Sequence, residues 1–217
     1  MHWFGVCYPS LILALVLRTS VKMYSWSLTT KNATMSTKYR ILDDQQPHFL
    51  TLTIIQWANI FSRPLYKDIF MDSLKFCVEK KGLILYAYVI MTNHVHLIAA
   101  AQAGYKLANI IRDLKRFTAR QLYQALVIEP TESRRFWMRW IFESEGQRSA
   151  CNENIRVWTH DNHPVMLYDS AIAQQRLNYL HQNPVKAGIC FAAEQYVYSS
   201  AANYAGEVGI MEVTYLR

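Results

Sequence analysis

The chain has 217 residues, 52% apolar and 18% charged, which supports a sizeable core and excludes wholesale disorder. Its 23 Lys and Arg against 16 Asp and Glu leave a net charge of +7, which favours an anionic partner such as nucleic acid without naming one. Four cysteines (Cys7, Cys77, Cys151 and Cys190) lie far apart in sequence, which argues against a C-x-x-C redox or zinc motif and against a disulfide framework, and favours a reducing compartment.

The charge is unevenly placed. Residues 1–34 contain Arg18, Lys22 and Lys31 and no acidic residue, so the remaining 183 residues carry 20 basic against 16 acidic side chains. Trp3–Leu17 (WFGVCYPSLILALVL) is nearly uncharged, but it is shorter than the ~20 residues needed to span a bilayer and contains Pro9. Its basic residues follow the apolar run, whereas a signal peptide carries them in front. We read 1–34 as an extension outside the fold, with Met35 opening a domain over 35–217; a membrane-attached or export segment is the competing reading.

Phe49–Trp57 alternates and is rich in β-branched and aromatic residues, a strand pattern. Leu65–Lys80 has helical spacing and stops at Lys80-Lys81-Gly82. Leu83–Ile90 is a buried strand, Thr92-Asn93 a turn, and His94–Ala99 the next strand, so the two strands pair antiparallel. Tyr105–Val127 is a long helix whose basic residues are Lys106, Arg112, Lys115, Arg116 and Arg120, against only Asp113. Such a face suits phosphate contact, and equally an ordinary solvated surface.

Glu129–Glu153 reads as polar and irregular. It holds a basic–aromatic cluster from Arg134 to Trp140, in which Arg135 and Trp137 are candidate DNA contacts. Ile155–Trp158 is a short strand, and Ser170–Gln182 a helix capped by Ser170 and stopped by Pro184. This order of elements predicts an α+β fold.

Two constellations carry chemistry. His94 and His96 alternate with Val95 and Leu97, so both imidazoles leave one face of a strand, a spacing that suits a divalent metal but also occurs in ordinary histidines. Tyr179 and Asn183 are four apart on a helix and share a face. A tyrosine can act as a nucleophile, and two imidazoles with an amide oxygen leave open positions on Mg2+ or Mn2+ that suit a phosphate oxygen.

Met91–Ile98 (MTNHVHLI) resembles the histidine–hydrophobe–histidine motif of single-tyrosine transposases, Asn178–Gly188 (NYLHQNPVKAG) their tyrosine-bearing segment, and Tyr196–Ala201 (YVYSSA) the aromatic-x-Ser-Ser stretch that follows. Over residues 36–206 the chain is most similar to REP-associated tyrosine transposases, relatives of the IS200-type enzymes. The resemblance implies a ferredoxin-like antiparallel sheet with packed helices, acting on single-stranded or hairpin DNA in a cytoplasmic setting. It implies His94, His96 and Asn183 as ligands of Mg2+ or Mn2+. Tyr179 would be the nucleophile that leaves a 5′-phosphotyrosine and a free 3′-hydroxyl. His163, before the tyrosine helix, is a further candidate DNA contact. No small-molecule substrate and no membrane partner are expected; monomer and homodimer stay open. A silent DNA-binding module and an unrelated histidine-ligated metal hydrolase are the competing functions. The hydrolase lacks an acidic residue just after His96.

Overall fold

The computed structural model describes Ile41, residues 43–148 and residues 154–216; the extension read over 1–34 lies outside the described residues. Four strands, β1 (His48–Thr53), β2 (Leu83–Ile90), β3 (His94–Ala101) and β4 (Val165–Met166), form one antiparallel sheet in the order β2-β3-β1-β4. Helix α1 (Pro64–Lys80) links β1 to β2, and α2 (Leu107–Ile128) follows β3. This is the ferredoxin-like arrangement the resemblance implies, with an added helix, α3 (Arg135–Gln147), before β4. Helix α4 (Ser170–Lys186) and the short α5 (Ala201–Tyr204) follow.

Strand alternation divides the core between the two faces of the sheet. Leu50 and Leu52 of β1 and Val95, Leu97 and Ala99 of β3 pack with α1 and α2. Phe49, Val89 and Ile98 emerge on the opposite face and pack with Leu177 and Leu180 of α4. Helix α2 buries Leu107, Ile110, Ile111, Leu114, Thr118, Leu122 and Leu126, a stripe at helical spacing. Helix α1 ends where Gly82 turns at φ 70°, and a Cβ there would fall within 2.8 Å of three Tyr105 ring atoms. The edge of β2 is covered by the chain after α4: Ile90 N–H donates to the Tyr198 carbonyl, Ser200 N–H to Tyr88, and Thr214 N–H to Leu85.

Four local expectations need correction. The first strand ends at Thr53, because Gln56 and Trp57 both take positive φ (52° and 54°), which extended backbone cannot accommodate. Residues 135–147 are helical: Met138, Ile141 and Phe142 form a narrow buried stripe that the surrounding Arg, Trp and Glu residues hide from a compositional reading. The fourth strand is Val165–Met166, while Trp158 makes only an isolated bridge to Ile54 and otherwise belongs to the core between Phe61 and Phe70. The cap of α4 is Asp169, whose carboxylate accepts from the N–H groups of Ala171 and Ile172, and the helix runs through Pro184 to Lys186.

Candidate active site

Helix α4 lies across the sheet face that His94 and His96 share. The two imidazole centroids are 4.7 Å apart, and the Tyr179 ring lies 5.6 Å from His96 and 6.0 Å from Phe49. Asn183 follows Tyr179 by one helical turn on the same face, and its Nδ2 donates to the Tyr179 carbonyl at 2.8 Å, which leaves Oδ1 free to accept or to ligate. Tyr179 is 40% exposed, so its hydroxyl can meet a ligand from solvent.

The surroundings fix which ring nitrogens face that ligand. Asn93 Oδ1 can only accept, so His94 Nδ1, 2.7 Å away, must donate and its Nε2 keeps the lone pair. Thr51 stands directly opposite His96 in the β1–β3 register, and its hydroxyl meets His96 Nδ1 at 3.0 Å, again leaving Nε2. Burial lowers the pKa of His94. His96 falls to about 3, through burial first and then the charges of His94 and Arg176. Neutral imidazoles are the form that binds metal. The donor set fits a divalent cation: two imidazole Nε2 atoms and an amide oxygen, with positions left for phosphate oxygens. Among the described residues no group of three His, Cys, Asp or Glu could hold a metal, so carboxylate charge does not help.

Positive charge borders the site instead. The Arg176 guanidinium lies 5.3 Å from the Phe49 ring centroid, one turn before Tyr179, and the Lys186 ammonium 5.6 Å from the Tyr179 ring. Neither forms an ion pair among the described residues. Arg176, Thr51 and Trp57, whose ring stands 6.1 Å from His94, escaped the sequence reading. Helical spacing from Tyr179 would have found Arg176, while Thr51 and Trp57 become visible only with the β1–β3 register and the turn after β1.

The other candidates lie apart from this cluster. Lys115 is a correction: its three ammonium hydrogens are matched by three acceptors, the carbonyls of Thr159 and His160 and Asn162 Oδ1, at 2.7–3.1 Å, so none remains for a phosphate. Lys106, just before α2, and Arg112, Arg116 and Arg120 on it are exposed, in the layer on the far side of the sheet from the histidine pair. Arg135 is half-buried, donating to the Glu129 carbonyl, and Trp137 is half exposed. His163 is exposed, at φ 43°. His181 is buried in the core, its Nε2 2.9 Å from the Ser200 hydroxyl.

The architecture defines a class: a ferredoxin-like domain with a strand-borne histidine pair facing a helix-borne tyrosine. Residues 44–151 match the family described as transposase IS200 like, and the chain belongs to that family. The matched stretch contains the histidine pair and ends before Tyr179. The fold is also that of a REP-associated tyrosine transposase solved bound to a REP hairpin, at 16% identity and a TM-score of 0.55, over 84% of this chain and 95% of that one. A putative transposase from Deinococcus radiodurans R1 is 17% identical, with a TM-score of 0.39 over 66% of this chain and 95% of that one. No curated protein matches the sequence.

Proposed function

We propose that this transposase-family chain nicks and rejoins single-stranded or hairpin DNA through Tyr179, with Mg2+ or Mn2+ at His94, His96 and Asn183. The observation that carries the reading is the Tyr179 ring 5.6 Å from His96, on a helix facing the histidine pair. The relative of the same fold, solved with a REP hairpin, supports a structured single strand as substrate.

In this reading the Tyr179 oxygen attacks a backbone phosphorus and the bond from phosphorus to the 3′ oxygen breaks. The products are a 5′-phosphotyrosine and a 3′-hydroxyl. The phenolic proton leaves to solvent, and the departing oxygen takes one up. Return attack by a 3′-hydroxyl restores the phosphodiester, so joining needs no nucleotide cofactor. A bound metal would polarise the phosphate and offset charge in the transition state. Arg176, beside Phe49, and Lys186, beside the Tyr179 ring, would add positive charge near that phosphate. The exposed cations Lys106, Arg112, Arg116 and Arg120 would contact backbone away from the scissile phosphate, and Arg135, Trp137 and His163 flanking DNA.

A labelled hairpin oligonucleotide incubated with Mn2+ or Mg2+ tests the assignment. The wild-type chain should form a covalent adduct that survives denaturation, and Tyr179→Phe should form none. An equal adduct from the variant would remove Tyr179 from its role, and salt-sensitive binding with no cleavage under either metal would identify a silent binding module.

A further inference from the structure

Three indoles are exposed on α3 and on the turn after β1. Trp57 and Trp140 are each 64% exposed and Trp137 is 50% exposed. Trp137, Trp140, Ser144 and Arg148 follow one another at helical spacing along α3, and with Gln56 they line an open groove of about 390 Å³. Gln56 Nε2 donates to Glu145 Oε1 at 2.9 Å, which ties the turn after β1 to α3. In that turn Gln56 and Trp57 both hold positive φ, a conformation that L side chains rarely adopt and that functional sites commonly retain. The Trp57 ring meets His94 edge-on at 6.1 Å. Gln56 therefore joins the α3 groove to the turn from which Trp57 reaches His94.

We propose that Trp57, Trp137 and Trp140 form a stacking platform for unpaired nucleobases flanking the phosphate held at Tyr179. The proposal rests on the DNA-strand reading above and names the part of the substrate that this surface takes. Base faces are accessible to an indole only when the bases are unpaired and unstacked, so the occupant is single-stranded nucleic acid. Gln56 and Glu145, bonded to each other, and Ser144, whose hydroxyl donates to the Ile141 carbonyl, line the same groove, and their remaining oxygen lone pairs can accept from base edges. Arg148 lies on the groove, paired with Glu145 at 3.4 Å but with its side chain mostly exposed, so its guanidinium can also meet the backbone.

The test uses the full chain carrying Tyr179→Phe, so that binding is read without cleavage. Fluorescence anisotropy compares a blunt hairpin oligonucleotide with the same hairpin bearing a single-stranded thymidine extension, on the 5′ or the 3′ side. One extended hairpin should bind more tightly than the blunt one. Trp57→Ala and Trp140→Ala should each weaken that complex about tenfold, within the range of one base–aromatic stack. The same variants should leave the blunt hairpin within about twofold, Trp→Tyr should recover most of the loss, and an abasic extension should reproduce it on the unsubstituted platform. No preference for an extension, an equal loss on both hairpins, or full affinity for the abasic extension would overturn the platform; so would failure to bind either DNA. The adduct assay on the Tyr179-bearing chain keeps the two readings separable. Extension-dependent stacking without an adduct leaves the platform and removes the strand transferase; an adduct with no Trp dependence of binding does the reverse.

Discussion

At His94 the neighbouring Asn93 Oδ1 leaves Nδ1 only the donor role, and at His96 the Thr51 hydroxyl occupies the equivalent position, so on both rings Nε2 stays outside these bonds. Losing such a partner frees the ring to rotate or change tautomer. Thr51→Val keeps the shape of the strand while removing the hydroxyl, and it should weaken Mn2+ binding 10- to 100-fold in the presence of oligonucleotide. Titration calorimetry reads this directly; unchanged affinity would mean that packing alone orients His96. Arg176 makes a different contribution. Its guanidinium has no carboxylate partner among the described residues and lies beside Phe49, where its charge already depresses the His96 pKa. Arg176→Ala should slow adduct formation at saturating DNA by about 10²-fold, as removal of one oxyanion donor does. Arg176→Lys should fall between, because it keeps the charge and loses the planar fork. A change confined to DNA affinity would reduce Arg176 to general attraction.

Helix α2 looks basic in sequence, yet its cations divide into two jobs. Arg116 and Arg120 are exposed, whereas Lys115 reaches across to hold the 159–162 segment by three hydrogen bonds. Burial first, then Arg156, lowers the Lys115 pKa to about 8, which still leaves it charged at neutral pH. Lys115→Met should therefore cost about 1–3 kcal/mol in urea unfolding and leave the salt dependence of DNA binding unchanged. Arg116→Ala should do the opposite, reducing the slope of log K against log salt by about one if it contacts a phosphate. The same division explains what could be read in advance. Helices α1 and α2 and strands β2 and β3 are long and strongly periodic, so their existence follows from spacing, and His94, His96, Tyr179 and Asn183 follow from short motifs. Helix α3 was hidden because its buried stripe is only Met138, Ile141 and Phe142 beside exposed Phe136, Trp137 and Trp140. Strand β4 has two residues, too few for any alternation, and its pairing depends on the path that Lys115 fixes before it. Pro184 fails to stop α4 because tertiary packing buries it together with Leu177 and Leu180, outweighing its lost backbone hydrogen bond.

Seen across the whole sheet, both halves of the α4 face depend on uncharged imidazoles. His94 and His96 form the candidate site, and His181 joins α4 to the segment that closes the β2 edge through its bond to Ser200. Burial lowers the His181 pKa to about 4, and His96 stands at about 3. Below the unfolded-state value of about 6.5, the unfolded chain takes up these protons while the folded chain does not. Protons then favour the unfolded state, so stability is lost as pH falls from 6.5 towards 4, at up to about 1.4 kcal/mol per pH unit for each buried imidazole. Urea unfolding at pH 7, 5.5 and 4.5 should show this decline. His181→Gln retains a hydrogen-bonding side chain and removes one titrating group. It should lower stability at pH 7 through imperfect packing, yet flatten the decline between pH 6.5 and 4.5 by about one proton's worth. Carboxylates lose their native pairings in the same acid range, so the difference in slope between variant and wild type is the decisive quantity. Parallel curves would mean that His181 does not titrate with unfolding, and that the lock on the β2 edge is indifferent to its charge.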